Sequence, residues 1–136
     1  MIYLVTTQQE LFNNSEYKII SVEESLQLLN SCNILQYDSE TSCKNFHLGK
    51  ILCIQFGNKA KDFQIVIDCT TIDIQYYKEI LEKTLLVGHN LKFDISWLYN
   101  YGIIPRKIYD TMIVEQFLYM GFPRIPIFPE RYIKYN

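Results

Sequence analysis

Three apolar segments joined by short connections follow one another between residues 33 and 68. They read NILQYD, KILCIQFG and FQIVID. Their lengths and their β-branched and aromatic residues favour strands over helices. Because NKAKD leaves room for only a tight turn between the second and third segments, we predict an antiparallel three-strand meander. The first segment alternates weakly between apolar and polar residues, so we expect that strand to be covered on both faces.

Further strands and helices flank this meander. IYLVT and YKIIS precede it as strands, and Ser21 with Glu24 forms a capping box that begins a helix. After the meander, two strand segments alternate with three helical segments. The strand segments are LLVGHN and the strand end KIYD. The helical segments are DIQYYKEILEK, LKFDISWLYNYG, which Gly102 closes, and TMIVEQFLYM, which Asp110 caps. This order predicts an α/β fold with a mixed sheet and flanking helices.

Composition limits the classes of protein that this chain can be. Of its 136 residues, 49% are apolar and 15% aromatic, which predicts a folded domain. The net charge of −2 means that a nucleic-acid partner would need a local basic patch or metal ions. No apolar run is long enough for a membrane span. The four cysteines lack CxxC spacing, which favours reduced thiols and a cytoplasmic location.

Two carboxylates stand at the end of the first meander strand. Asp38 and Glu40 are two positions apart, so a strand places both on one face. Carboxylates this close repel each other unless a cation lies between them, and hard oxygen ligands suit Mg²⁺ or Mn²⁺. The alternative interpretation is a solvated strand end.

A second polar pair begins the helix after LLVGHN. Asn90 and Asp94 are four residues apart on one helix face, and Asp94 is placed to reach the same cleft as the strand acids. The alternative is an ordinary first-turn acid favoured by the helix dipole.

These residues carry a resemblance to a known family. YDSETSCKNFHLGKILCIQFG resembles the first motif of the DEDD 3′–5′ exonucleases, in particular the proofreading domains of family A DNA polymerases, and HNLKFD resembles their second motif. The flanking segments VIDCTTID, GIIP and YDTMIVEQFLYMGF agree, so the resemblance runs from Tyr17 to Gly121. It implies a ribonuclease H-like fold and hydrolysis of phosphodiester bonds at DNA 3′ ends by two Mg²⁺ or Mn²⁺ ions.

The resemblance also implies roles for individual residues. Asp38 would bridge both metal ions, Glu40 would bind the ion that activates water, and Asp94 would hold the second ion. The residues that would contact substrate are Thr41, Lys44, Asn90 and Phe93. For Lys44, as for Lys92, the alternative is a solvated lysine. For Phe93 and Trp97, core packing is the favoured interpretation. His89 and Asp110 are interpreted as structural, His89 orienting a turn and Asp110 capping a helix, and His47 as a surface residue.

The chain departs from the family pattern in two places. Cys43 and Lys44 replace the usual Gly-Leu after the first motif, so wedging of the terminal base would pass to Phe46 or Leu48. The third motif is missing, and we interpret the nearest match, Tyr132 with Asn136, as chance. We therefore expect an incomplete, C-terminally truncated exonuclease-like domain over residues 1–121. Residues 122–136, with three prolines, would form an irregular tail.

Without the family's last helix, apolar surface should be exposed. We expect it near Trp97, Tyr101, Phe117 and Tyr119, and we expect it to be covered by self-association or by the tail folding back.

Three functions stay open from the sequence. The first is a metal-dependent 3′–5′ exonuclease for single-stranded DNA ends, acting alone or completed by a polymerase or another chain. The second is a catalytically weak nucleic-acid-binding module of the same fold. The third is an RNA 3′-end exonuclease. None of the three needs a membrane.

Overall fold

A computed structural model describes residues 1–11 and 16–120 of the chain. The strands in this part are β1 (Ile2–Val5), β2 (Lys18–Ile19), β3 (Ile34–Thr41), β4 (Ile51–Asn58), β5 (Phe63–Asp68), β6 (Leu85–Gly88) and β7 (Lys107–Asp110). The helices are α1 (Val22–Asn30), α2 (Lys78–Lys83), α3 (Leu91–Asn100) and α4 (Thr111–Leu118). Short 3₁₀ turns occupy Gln9–Leu11, Lys59–Lys61 and Ile74–Tyr77, the last leading directly into α2.

The seven strands of the described part form one mixed sheet in the order β2-β1-β5-β4-β3-β6-β7. Strands β3, β4 and β5 pair antiparallel, and every other neighbouring pair is parallel. The predicted meander, mixed sheet and α/β class are therefore confirmed.

Local signals set the helix ends as the sequence predicted. The Ser21 hydroxyl accepts the Glu24 N–H at 3.1 Å, and the Glu24 carboxylate accepts the Ser21 N–H at 2.8 Å. Together these bonds form the capping box of α1. At the far end of α3, Gly102 has φ +66°, a left-handed conformation that an L-side chain adopts with strain.

The core lies on one face of the sheet. Helices α1 and α2 meet over it, where the hydroxyls of Ser25 and Tyr77 lie 2.7 Å apart and the Tyr77 ring packs against Phe56 of β4. The predicted apolar face of the α2 segment is confirmed, since all of its members are buried: Ile74, Tyr77, Ile80 and Leu81.

The expectation that β3 is covered on both faces is wrong for the described residues. Leu35, Tyr37 and Ser39 are buried under the helices, whereas Gln36 and the two acids that follow it on the opposite face are exposed. Helices α1, α2 and α3 all pack on the Tyr37 face, and within the described part of the chain the acid-bearing face stays exposed. We call the sheet surface that carries Gln36, Asp38 and Glu40 the open face.

Exposed apolar surface is concentrated at α4, in which no residue is buried. Phe117 is 73% exposed and Tyr119 58% exposed, as expected. Trp97 is completely buried, which confirms its interpretation as a core residue and contradicts the expected exposure near it. Tyr101 is half-buried against the core, and its hydroxyl accepts the N–H of Ile51.

Two further sequence expectations can be compared with this part of the chain. None of its helices combines the length and the apolar character that crossing a membrane requires. All four cysteines are free thiols, Cys32 buried and Cys43 exposed. The predicted tail, 122–136, and the match at Tyr132 and Asn136 lie outside the described residues.

Candidate active site

The end of β3 presents two acids on the open face. Asp38 pairs with Gln55 and Glu40 with Cys53 across the β3–β4 ladder, and both carboxylates are exposed. The ladder register then shifts between Glu40 and Thr41. The prediction that Asp38 and Glu40 share a face at a strand end is therefore met by the structure.

The residue between the two acids faces the other way and holds the third acid. Ser39 is buried, and both its N–H, at 3.0 Å, and its hydroxyl, at 2.6 Å, donate to Oδ1 of Asp94. There is room for Asp94 beside Ser39 because β6 pairs with β3 only as far as Gln36. Beyond that point α3 takes the place of a neighbouring strand, and Asp94 satisfies the free strand edge.

Asp94 lies in an unfavourable environment for a carboxylate. It is 4% exposed. Burial raises its pKa, the hydrogen bonds from Ser39 lower it, and the negative charge of Asp38 raises it again, so that the net pKa is above the ordinary value. A cation near Asp38 and Asp94 would offset both the burial and the repulsion.

The start of α3 is held from another strand. Asn90 precedes the helix with φ +60°, a left-handed conformation that is uncommon for residues other than glycine. Its N–H donates to Oδ1 of Asp110 at 2.9 Å, and the same oxygen caps α4 by accepting the Met112 N–H at 2.9 Å. Asp110 therefore caps its helix as predicted and also fixes the second-motif turn, which the sequence interpretation missed.

The predicted substrate-contacting residues differ in how accessible they are. Asn90 and Lys44 are exposed. Thr41 is half-buried and its hydroxyl donates to the Cys43 carbonyl at 2.9 Å. Phe93 is half-buried and lies edge-on to Trp97, with ring centroids 6.1 Å apart, so its core-packing alternative agrees with the structure.

The remaining candidates lie around these residues. His89 is exposed and its Nδ1 lies 3.1 Å from the hydroxyl of Thr111, consistent with a turn-orienting role. His47 is on the surface as expected. Of the two residues suggested as a base wedge, Phe46 packs partly against the core, whereas Leu48 is 82% exposed.

A shallow cavity of about 360 Å³ adjoins the acids on the open face. Its lining includes Asp38, Gln36, Gln55, Val87 and His89. The cavity is therefore continuous with the end of β3 and mixes amide and apolar side chains.

The donor set suits a hard divalent cation, because the buried Asp94 is repelled by Asp38, and Glu40 shares the exposed face with Asp38. Within residues 1–11 and 16–120, no three acidic, histidine or cysteine side chains already surround a single point. Asp38 and Glu40 are presented outward, whereas Asp94 is bound sideways to Ser39.

Ser39 is the site residue that the sequence analysis missed. A signal for it was present, because strand alternation places position 39 towards the core, and a buried hydroxyl needs a hydrogen-bond partner. The identity of that partner, 55 residues away, was not readable from the spacing.

Comparisons with known proteins agree with this architecture. The sequence model of a 3′–5′ exonuclease family matches residues 14–122. DNA polymerase I of Aquifex aeolicus (strain VF5) is 34% identical over 104 residues, which are 76% of this chain and 17% of that protein. This chain therefore spans about a sixth of the length of that relative.

Solved structures share the fold at low sequence identity. The catalytic core of RRP6 from Trypanosoma brucei superimposes with a TM-score of 0.68 at 18% identity, covering 90% of this chain and 32% of that one. Escherichia coli RNase D superimposes with a TM-score of 0.64, also at 18% identity, covering 88% of this chain and 29% of that one.

Proposed function

Because this chain belongs to the 3′–5′ exonuclease family whose sequence model matches residues 14–122, we propose that its carboxylate site hydrolyses phosphodiester bonds at the 3′ end of single-stranded DNA with two divalent metal ions. The relative of 34% identity is a DNA polymerase, which favours DNA as the substrate.

One observation carries this proposal. Ser39 lies between Asp38 and Glu40 and holds Asp94 by two hydrogen bonds, so that three acids are gathered at one strand end beside an open cavity. A purely structural strand end gains nothing from a buried acid beside Asp38, since burial and the negative charge of Asp38 both disfavour the ionised form of Asp94 unless a cation compensates.

Asp38 and Glu40 would hold Mg²⁺ or Mn²⁺ from the exposed face, and Asp94 would contribute from the strand edge. When bound, the two ions supply a nucleophile at neutral pH and stabilise the leaving oxygen. The protein's own part is positional: the β3 backbone fixes the spacing of Asp38 and Glu40, and Ser39 fixes the rotamer of Asp94. Asn90 and Lys44 are exposed, and we propose that they contact the sugar–phosphate backbone.

The test is digestion of a 5′-labelled single-stranded DNA with Mn²⁺ or Mg²⁺, with EDTA and Ca²⁺ as controls. A ladder that shortens from the 3′ end, and that disappears with EDTA, supports the proposal. The Asp38→Ala variant should lose this activity while its fold stays intact or becomes slightly more stable, since one repelling charge is gone. Activity that survives in the variant would mean that the digestion comes from a contaminant or another site.

RNA is the second candidate substrate. Two of the proteins that share this fold are E. coli RNase D, which is an exoribonuclease, and RRP6. Each is 18% identical to this chain, so the likeness extends to the architecture alone. Parallel digestion of an RNA and a DNA of the same sequence separates the two substrates, and faster cleavage of the RNA would replace DNA in the proposal.

A weak nucleic-acid-binding module is the other alternative. It is favoured by the outward geometry of the acids, since no three ligating side chains of the described residues surround one point. Binding of the labelled DNA without any digestion in Mn²⁺ would support it. Digestion that appears only on addition of a polymerase or another chain would support completion of the site in trans.

A further inference from the structure

The turn that joins β6 to α3 has an uncommon backbone conformation. It comprises Gly88, the last residue of β6, with His89 and Asn90, and it leads directly into the helix that carries Asp94. Asn90 has φ +60° and ψ +41°, and its side chain makes no capping bond to the helix. Asparagine adopts this left-handed region more readily than most residues, but it remains uncommon outside glycine, so contacts from the surroundings are needed to favour it.

The first contact comes from Asp110, which ends β7 opposite Gly88 in the β6–β7 ladder. Asp110 is 7% exposed, and its Oδ1 accepts the Asn90 N–H at 2.9 Å. The same oxygen accepts the Met112 N–H, so a single atom ties the start of α3 to the start of α4. Oδ2 of Asp110 is buried and has no hydrogen-bond partner among the described residues.

The second contact comes from Thr111. Its hydroxyl donates to the Gly88 carbonyl at 3.0 Å, and it lies 3.1 Å from Nδ1 of His89. Since the only hydroxyl proton is used on Gly88, Thr111 accepts at His89, which places a proton on Nδ1. Asp110 and Thr111 together thus hold all three turn residues.

The held turn controls where Asp94 lies. Asn90 and Asp94 are four residues apart, about 6 Å along the helix, so a change in the turn moves the carboxylate with the first turn of α3. Sites that bind metal or substrate need side chains placed within about 0.5 Å. The two Ser39 bonds are the contacts that such a shift would break first.

We infer that Asp110 and Thr111 act as a clamp on the β6–α3 turn and are positioning residues for Asp94. The clamp itself is a structural claim. Its effect on metal binding and hydrolysis rests on the function proposed above.

Substitutions at Asp110 can separate the clamp from simple helix capping. Asp110→Asn keeps an oxygen acceptor for both bonds. Asp110→Ser keeps a good N-cap for α4 but is one atom shorter, so it releases Asn90. Ser21→Ala is the matched control, because it removes an N-cap of another helix, α1, without touching the turn.

The first readout is amide hydrogen exchange of Ser39 and Asn90, followed by NMR on the full chain. We expect exchange of both amides to be about tenfold faster in Asp110→Ser than in Ser21→Ala, and close to wild type in Asp110→Asn. The second readout is Mn²⁺ affinity by electron paramagnetic resonance, which should fall about tenfold in Asp110→Ser, as for other residues that orient a metal ligand. In the digestion assay kcat should fall while KM stays within about twofold.

If exchange and Mn²⁺ affinity in Asp110→Ser match those of Ser21→Ala, Asp110 is a helix cap only and the inference is overturned. Should Asp110→Ser fail to fold, Thr111→Val can be used instead. This substitution removes the hydroxyl contacts to Gly88 and His89 at nearly constant side-chain shape, and we expect it to change the same readouts in the same direction. If wild-type protein neither binds Mn²⁺ nor digests nucleic acid, the proposed function fails, whereas the exchange of Ser39 and Asn90 still decides the clamp.

Discussion

Asp94 occupies a position that is unfavourable for a carboxylate. Its carboxylate is buried beside Asp38, and both conditions disfavour the ionised form. Two hydrogen bonds from Ser39 offset only part of this, since the pKa remains raised. Such an arrangement is typical of sites in which a bound cation supplies the missing compensation.

Asp94→Asn should therefore stabilise the metal-free protein. The substituted side chain keeps an oxygen for both Ser39 bonds but removes the buried charge, so we expect a melting temperature a few degrees higher at neutral pH. Mn²⁺ should raise the melting temperature of wild type and leave the variant unchanged. Thermal melts with and without Mn²⁺ measure both effects. A variant that is less stable in EDTA would contradict the account of a strained carboxylate.

Asp68 is the opposite case, an acid that stabilises the fold. Its Oδ2 accepts the hydroxyls of Thr6 at 2.8 Å and Thr71 at 2.9 Å, and its Oδ1 accepts the N–H of Thr70 at 3.0 Å. Burial alone would raise its pKa, but these bonds outweigh it and the pKa lies below the ordinary 3.8. The carboxylate thereby ties the end of β5 to the residue after β1.

A lowered pKa fixes the sign of the pH dependence. The stabilisation is fully present above the ordinary pKa and is lost as pH falls through the lower, folded-state value. We expect Asp68→Ala to lose about 1–3 kcal/mol of unfolding free energy at pH 7, and the gap to wild type to narrow below about pH 4. Urea unfolding of both proteins at pH 7 and pH 3 measures the difference in unfolding free energy. An equal difference at both pH values would contradict the account in which the ionised Asp68 carboxylate accepts the hydrogen bonds.

Among the elements, α1 depends most clearly on local sequence. Its nine residues are too few for an isolated helix, so both the capping box and the packing of Ser25 and Leu29 are needed.

Ser21→Ala should cost about 1 kcal/mol of unfolding free energy, because the Glu24 N–H loses its acceptor. Glu24→Gln is the matched control, since an amide oxygen can still accept the Ser21 N–H. Chemical denaturation of the two variants gives the comparison. A loss in Glu24→Gln as large as that in Ser21→Ala would show that the charge of Glu24 contributes as much to the helix end as the hydroxyl of Ser21.

In strand β3, successive side chains point to opposite faces of the sheet, so one strand contributes both to the core and to the candidate site. Leu35 and Tyr37 pack into the core, whereas Asp38 and Glu40 face outward beside the cavity. A shift of one residue in its pairing would exchange these faces, so the same hydrophobic pattern that stabilises the sheet also presents the acids.

At the scale of the whole molecule, the described residues include a group of exposed apolar side chains on and beside α4. We call it the α4 surface; its members are between 46% and 73% exposed and comprise Ile108, Tyr109, Ile113, Phe117, Leu118, Tyr119 and Met120. Contiguous apolar surface of this kind commonly marks a site at which another segment or protein binds.

We predict that the protein self-associates through the α4 surface or covers it with residues 122–136. Sedimentation velocity over a concentration series should show association that weakens when Phe117 and Leu118 are changed to serine. Leu48→Ser is the matched control, since Leu48 is 82% exposed but lies in the loop between β3 and β4. A strict monomer whose residues 122–136 exchange at random-coil rates would contradict both forms of the prediction.

The sequence by itself determined those features that depend on local backbone geometry. A two-residue period puts Asp38 and Glu40 on one face of a strand, a hydroxyl and a carboxylate three residues apart start α1, and a glycine ends α3, because each depends on neighbours along the chain. The meander followed from turn length, and the family from two motifs at their proper separation.

What only the tertiary structure decided depends on contacts between distant segments. Which face of β3 is covered is a property of the helices that pack on it, and that is why the open face was not foreseen. Ser39 meets Asp94 across 55 residues, and Asp110 meets Asn90 across 20. No periodicity encodes these pairs, because hydrogen bonds between elements are chosen by how the elements pack and not by the order of residues within them.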